Sequence, residues 1–282
     1  MRRFRYVVCD VFTEVPLAGN QLAVFTDARD LDELTMQALA KEMNFAETVF
    51  VLPPTRADAD VRIRIFTPAV ELPFAGHPTL GSAFVLGAPL QRVVVNLETG
   101  AGVVPVELQR EGSRIVFGLM EQPLPSWAPA ERADAILAAV GVERSLLPVE
   151  RYDLGPGHAF VALGSAGEVA RLQPDFAALA RATSDGVSCF APDDGHWKTR
   201  MFAPAAGVPE DAATGSAAGP LAVHLARHRR VAFGERIEIH QGAEIGRPSV
   251  LYAEAHGAAD ALERVAVGGS AVTVARGEFV LP

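Results

Sequence analysis

A handful of polar side chains sit in apolar surroundings where they could move or hold a proton. Glu47 lies in Asn44-Phe-Ala-Glu-Thr-Val-Phe-Val51, where strand alternation puts it on the side of Phe45, Val49 and Val51. An ionised carboxylate there loses hydration, so burial is expected to raise its pKa toward neutrality, as a general acid-base group requires. A strand-end glutamate capping a neighbouring backbone is the alternative. Asp211 opens Asp211-Ala-Ala-Thr-Gly-Ser-Ala-Ala-Gly219, followed by Leu221, Ala222 and Leu225 at helical spacing. This predicts a helix starting near Ser216, with Ser216 as N-cap. The first amides of such a helix lack intrahelical partners and its dipole is positive there, so Gly215 and Ser216 are placed to hold a carboxylate or phosphate without a lysine. A capped core helix with no ligand fits the same residues.

A second segment bears on that choice. Arg64-Ile-Phe-Thr-Pro-Ala-Val-Glu-Leu-Pro73 and Arg200-Met-Phe-Ala-Pro-Ala-Ala-Gly-Val-Pro209 share Arg, Phe, Pro, Ala and Pro in register. Each reads as a strand running into a turn. Beyond Pro73 come Gly76, His77 and Pro78, then Leu80, Ala83 and Phe84, with Gly87 closing a short apolar helix and Pro78 at its first position. Both halves thus run strand, turn, glycine, apolar helix, which predicts a duplicated domain with a small anionic ligand between two helix starts. Taken alone, His77 is an N-cap or a satisfied core histidine, and Asp211 has the same ambiguity. Duplication would let His77, Asp211 and Ser216 converge on one molecule. Asn20, in Leu17-Ala-Gly-Asn-Gln21, is read first as a left-handed turn residue and second as a ligand contact.

The elements that must position these groups follow from patterning. Strands are predicted over residues 6–12, 22–25, 45–52 and 61–67, with a helix after a capping box at Asp30-Leu-Asp-Glu33 whose stripe is Leu31, Leu34, Ala38 and Leu39. Residues 93–97, 103–108 and 115–119 make a meander, and the prolines of Glu121-Gln-Pro-Leu-Pro-Ser-Trp127 mark a boundary between domains 1–125 and 126–282. The last strand is free to return to the first domain. In the second half, helices are predicted over 131–140 and 175–181, and strands over 159–163, 187–190, 197–202, 236–241, 249–255 and 264–279. Strand runs broken by few helices make the class α+β rather than a doubly wound sheet.

Composition narrows the function. With 49% hydrophobic and 21% charged residues the 282-residue chain reads as globular, and a net charge of -9 with scattered arginines excludes a nucleic-acid footprint. The basic run Arg227-His228-Arg229-Arg230 reads as cations at a helix C-terminus. Cys9 and Cys189 lie in apolar runs, as buried small hydrophobes of a protein in a reducing compartment. The start, Met1-Arg-Arg-Phe-Arg5, is basic but the apolar run after it is too short for a signal peptide, and no run of 18 apolar residues occurs. A cytoplasmic protein with no membrane partner is the expectation. The histidines at 158, 196, 224, 228, 240 and 256 are dispersed with no Cys or Asp at ligand spacing, so no metal is expected.

Several motifs together resemble the phenazine-biosynthesis isomerase family, whose fold is shared with diaminopimelate epimerase. They are Asn44-Phe-Ala-Glu-Thr48, Arg64-Ile-Phe-Thr-Pro68, Glu71-Leu-Pro-Phe-Ala-Gly-His-Pro78, Asp211 to Leu221, His224-Leu-Ala-Arg-His228 and Gln241 to Ser249. The resemblance implies two pseudosymmetric domains, each a mainly antiparallel sheet wrapped around a central helix. It also implies a homodimer, enzymes of the same pathway as partners, and a cofactor-free isomerisation of trans-2,3-dihydro-3-hydroxyanthranilate. On that pattern Glu47 shifts the proton, His77 and Asp211 grip the amine and hydroxyl, and the amides near Gly76, Gly215 and Ser216 hold the carboxylate. Two positions depart from the family: Ala46 stands where Ser is frequent, and Gln21 where Pro is frequent. Diaminopimelate epimerase works through paired thiols, and neither cysteine lies in these motifs, so two-thiol racemisation is disfavoured. An isomerase acting on another small carboxylic acid and a non-catalytic metabolite-binding protein are the rival readings.

Overall fold

The computed structural model describes residues 1–281. Its chain forms two compact units, one of Met1–Glu121 with the chain from Gly268 onward, the other of Gln122–Val267. In order, the elements of the first stretch are β1 (Arg2–Val11), β2 (Asn20–Phe25), α1 (Glu33–Met43), β3 (Glu47–Leu52), β4 (Val61–Phe66), β5 (Glu71–Leu72), α2 (Gly76–Leu90), β6 (Val94–Thr99), β7 (Gly102–Glu111) and β8 (Arg114–Gln122). Then come β9 (Ser126–Pro129), α3 (Ala133–Val140), β10 (Glu150–Asp153), β11 (Gly157–Ala162), α4 (Ala166–Ala170), α5 (Phe176–Ala182), β12 (Gly186–Asp193), β13 (His196–Ala203), β14 (Val208–Asp211), α6 (Gly215–Arg227), β15 (Arg236–Gln241), β16 (Ser249–Ala258), β17 (Ala261–Gly269) and β18 (Ala271–Leu281). Among the described residues no helix is long and apolar enough to cross a membrane.

In the first unit β1 lies between β2 and β18, antiparallel to both. β2 runs parallel to β3, β3 antiparallel to β4, β4 parallel to β6, and β6, β7 and β8 form the predicted antiparallel meander. The strands curl around α2, which packs against β1, β2, β3, β6, β7 and β18. Every residue of α2 from Gly76 to Phe84 is buried, so small side chains are needed where strands press close. A Cβ at Gly81 would stand 2.6 Å from Leu22 Cδ2 and 2.7 Å from Val11 Cγ2. The helix α1 covers a second core of Phe4, Phe25, Met36, Leu39, Phe50 and Phe66, in which Phe25 stacks on Phe50 at 4.9 Å.

The second unit repeats this order. β11 runs parallel to β12, β12 antiparallel to β13, β13 parallel to β15, and β15 antiparallel to β16. The helix α6 packs on β11, β15 and β16 with Gly215 to Ala226 all buried. A second core of Ile136, Val140, Val161, Leu179, Val187 and Phe202 gathers α3 and α5 against the strands. The fold is α+β, each half a sheet around a central helix.

The shared sequence segment has a physical counterpart in both halves. Arg64 in β4 donates from Nε to Glu71 Oε1 at 2.7 Å and lies over Phe66 at 5.1 Å. Arg200 in β13 donates to Glu210 through Nε at 2.8 Å and Nη2 at 2.7 Å, and lies over Phe202 at 5.0 Å. In each case the arginine clamps the return strand that leads to the central helix. Arg200 also donates to the carbonyls of Val169, Ala170 and Leu172 at the end of α4.

Several boundaries differ from expectation. Asp32, not Asp30, caps α1, accepting from the Thr35 amide at 2.7 Å. The helix therefore starts two residues later, and its apolar face re-phases to Met36, Leu39 and Ala40, leaving Leu34 83% exposed. Pro78 is the third residue of α2, where an amide would have no intrahelical partner anyway. Gly87 does not end α2; it sits against Leu108, and the left-handed C-cap is Gln91 at φ 52°. The α6 N-cap is Thr214, so Ser216 is already the second helical residue. The 121–127 crossing ends in strand β9, which pairs with β10, and the run 264–279 breaks at Ser270 into β17 and β18.

The two arginine clamps differ in burial, which orders their worth. Arg200 and Glu210 are 9% and 8% exposed, whereas Glu71 is 36% exposed and Arg64 shares a second carboxylate, Glu33. Glu210→Gln is expected to cost roughly 3 kcal/mol, because it leaves a buried guanidinium uncompensated, and Glu71→Gln roughly 1 kcal/mol or less. Urea denaturation of both variants checks this, and equal losses would count against it.

Candidate active site

In the first unit the polar groups collect at the start of α2. Gly19 takes φ +66°, and a Cβ there would collide with the Val11 carbonyl, so the chain turns at a residue that must be glycine. That corrects the expectation for Asn20, which is a buried residue at the head of β2 rather than the left-handed turn residue. Its Nδ2 lies 3.3 Å from His77 Nδ1. Glu47 heads β3, whose parallel register pairs it with Leu22. Its Oε2 lies 3.5 Å from His77 Nε2, with side-chain exposures of 17% for Glu47 and 5% for His77. Glu47 is thus half-sunk at a strand end, less enclosed than its apolar neighbours imply.

Burial drives the His77 pKa down to about 3, against a smaller opposing contact with the Gln21 backbone, so the imidazole is neutral. A neutral imidazole carries one proton. When Nδ1 accepts from Asn20, that proton is on Nε2 and faces Glu47. Ala75, the N-cap of α2, supplies no side-chain hydrogen bond, and Pro78 has no amide, so the Gly76 and His77 amides are donors without intrahelical acceptors. Neither expected role for His77, N-cap or satisfied core histidine, describes its placement.

In the second unit the start of α6 is built differently. Asp211 ends β14, and its Oδ2 accepts from Thr214 Oγ1 at 2.7 Å. Gln241, buried at the end of β15, donates from Nε2 to the Asp211 carbonyl and to Thr214 Oγ1, each at 2.9 Å, and accepts from the Thr214 amide at 3.3 Å. Since Thr214 Oγ1 accepts from Gln241, its own proton is committed to Asp211. Thr214 makes no side-chain cap, so the Gly215 and Ser216 amides are open donors. Ser216 Oγ lies 3.0 Å from His158 Nε2 instead of capping the helix. Burial lowers the His158 pKa to about 4, the nearby Asp185 opposing. His158, Thr214 and Gln241 were not singled out as site residues from sequence: strand register carries His158 and Gln241 to the helix start, and Thr214 was passed over for Ser216 as the cap.

Two further expectations can be placed. Cys9 and Cys189 are buried free thiols whose pKa burial pushes up to about 12, which makes them inert packing groups. The histidines, however, are not all dispersed: His224 and His228 join Glu150 of β10 with ligand atoms within 4.8 Å of one another. The strand β10 was not predicted, so this convergence was invisible. Arg227 donates to Glu150 Oε2 at 2.6 Å, supplying there the positive charge a metal would bring. Burial opposes ionisation of Glu150, yet hydrogen bonds from His224, Arg227 and His228 hold its pKa well below the carboxylate range.

His77 and His158 are both neutral in the folded state with pKa values below the ordinary value of 6.5. The unfolded chain binds protons first as pH falls, so their contribution is fully present above about pH 6.5 and is lost progressively toward pH 4 to 3. Each group is expected to give a slope of up to about 1.4 kcal/mol per pH unit in that window. Urea denaturation at pH 7.5 and 5.0 reads this: wild type should lose stability, and His158→Asn should lose less of it. Equal wild-type stability at the two pH values would refute the assignment.

Comparison with known proteins gives these groups a context. Residues 9–277 match the family described as phenazine biosynthesis-like protein. A trans-2,3-dihydro-3-hydroxyanthranilate isomerase of Pseudomonas aeruginosa is 50% identical over 277 residues, covering 98% of this chain and 99% of the relative. A Bacillus anthracis phenazine biosynthesis protein of the PhzF family superposes with a TM-score of 0.86 at 24% identity, covering all of both chains. An Agrobacterium vitis hydroxyproline epimerase, solved with bound trans-4-hydroxy-L-proline, shares the fold at 14% identity with a TM-score of 0.68, covering 99% of this chain and 91% of its own. With a family match over almost its whole length and a named isomerase at half identity, the chain belongs to the phenazine biosynthesis-like family and is an isomerase.

Proposed function

We propose that the chain isomerises trans-2,3-dihydro-3-hydroxyanthranilate, without a cofactor, by a proton shift through Glu47. The observation that carries this reading is the Glu47 carboxylate 3.5 Å from a neutral, buried His77 at an uncapped helix start. The name of the Pseudomonas aeruginosa relative supports the substrate. Glu47, as carboxylate, takes the proton from the ring carbon bearing the hydroxyl. The electron pair moves along the diene, and protonated Glu47 returns the proton at the carbon bearing the carboxylate. The product is an enol that relaxes to an aminoketone, and atoms and charge balance with no oxidant or reductant.

His77 and Asp211 take the amine and hydroxyl in this reading, and the amides of Gly76, Gly215 and Ser216 hold the substrate carboxylate. Asn20 orients His77. The assignment of both helix starts to one substrate belongs to the proposal, as do a homodimer and a cytoplasmic setting between an enzyme that supplies the dihydro acid and one that consumes the ketone.

Proton NMR of the protein with trans-2,3-dihydro-3-hydroxyanthranilate in deuterated water tests the reading. Wild type should consume the diene signals, and Glu47→Gln should lose about a thousandfold or more in kcat while binding remains within a few fold, since a positioned general base contributes about 10²–10⁴. Near-normal turnover by Glu47→Gln would sink the mechanism. Saturable binding by a wild type that never turns over would point instead to another small acid or to a metabolite-binding protein.

A further inference from the structure

The pairing of His158 with Ser216 has a direction that the chemistry of a neutral imidazole fixes. His158 and Ser216 are 3% and 8% exposed, and His158 Nε2 lies 3.0 Å from Ser216 Oγ. The ring sits opposite Gly186, its partner in the parallel β11–β12 register, where a Cβ would come within 2.9 Å of His158 Nδ1. That nitrogen is buried and has no hydrogen-bond partner. The one proton therefore has two possible homes of unequal cost. On Nδ1 it would be a buried donor with nothing to accept it. On Nε2 it meets Ser216 Oγ, and only an acceptor lone pair at Nδ1 is left unmatched. Orphaned buried N–H groups are rarer than under-satisfied acceptors, so the Nε2–H form wins.

We propose that His158 is a positioning residue whose Nε2–H donates to Ser216 Oγ, so that the Ser216 O–H is turned away from His158 and donates to the substrate carboxylate. A serine hydroxyl both donates and accepts, and a ligand can ordinarily use either. With one of its two lone pairs engaged by His158, the Ser216 O–H is free to point elsewhere and joins the Gly215 and Ser216 amides as a third donor at the start of α6. An end that presents three N–H or O–H donors favours an acceptor-only group: an ionised carboxylate can accept from all three, and a carboxamide, which brings its own N–H groups, matches less well. The proposal thus assigns His158 a part in substrate choice through Ser216, without contact to the reacting carbons. It rests on the proposed function for the identity of the carboxylate, but not for the direction of the His158–Ser216 bond.

The test combines a direct reading of the tautomer with a double-mutant cycle. Long-range ¹H–¹⁵N NMR of the histidine rings, with the His158 signal assigned by its loss in His158→Gln, is expected to find Nε2 protonated. His158→Leu is expected to raise KM for trans-2,3-dihydro-3-hydroxyanthranilate about tenfold with kcat within about twofold, and His158→Gln, which keeps an N–H donor, to recover most of that loss. In a Ser216→Ala background His158→Leu should add nothing. A proton on Nδ1 overturns the proposal, and so does a His158→Leu loss that is equally large without the serine hydroxyl or that falls on kcat alone. The tautomer needs no substrate. A wild type that fails to turn over would therefore defeat the functional reading while the NMR result still decides the bond.

Discussion

Each half of this fold is arranged around a helix that is buried along most of its length, and backbone donors without intrahelical acceptors occur only in its first turn. In α2 the buried stretch runs from Gly76 to Phe84, and in α6 from Gly215 to Ala226. Strands close on α2 so tightly that a Cβ at Gly81 or Gly87 would press into the side chains of Leu22, Val11 or Leu108. Along the sides, the one buried histidine of α6, His224, is engaged by Glu150 and Tyr152. What remains is the first turn, where backbone amides have no intrahelical acceptor and neither helix has a side-chain cap. Each helix start therefore offers backbone donors, and the chain around it decides which side chains stand beside them.

The halves share a scaffold and diverge in equipment. Arg64 with Glu71 and Arg200 with Glu210 clamp the same return strand ahead of the same helix, each guanidinium over a phenylalanine. At α2 the helix itself carries the neutral imidazole of His77, and neighbouring strands bring the Glu47 carboxylate and the Asn20 amide. At α6 the N-cap Thr214 is joined by Gln241 and His158 from strands, and their hydrogen bonds engage Asp211 and Ser216. The two starts thus carry different polar sets, a carboxylate beside a neutral imidazole at one and hydroxyl, amide and imidazole groups at the other. Burial keeps His77 and His158 neutral, so neither competes with Glu47 for a proton near neutral pH.

Much of this was legible in the sequence where local pattern suffices. The apolar run after Gly215, the strand around Arg64 and the duplicated Arg-x-Phe-x-Pro segment all depend on neighbours within ten residues, and all correspond to real elements. Placement failed where one local choice competes with another. Asp30 and Asp32 are both plausible caps, and choosing the wrong one moved the α1 stripe onto Leu34, which is exposed. Ser216 has the ideal cap chemistry, but Thr214 already occupies the turn geometry and His158 engages the serine. The groups missed altogether, Gln241, His158 and Glu150, are separated from their partners by 27 to 78 residues, and only strand register brings them there. Short strands such as β9 and β10 carry too little periodicity to be seen.

The central claim is that one partly shielded carboxylate both takes and returns the proton. Substrate carrying deuterium at the hydroxyl-bearing ring carbon, turned over in ordinary water and followed by NMR, tests it most directly. The account predicts that a measurable share of the label reappears at the carbon bearing the carboxylate. Product that contains only solvent hydrogen at that carbon, from the first turnover onward, would contradict transfer by a single shielded Glu47.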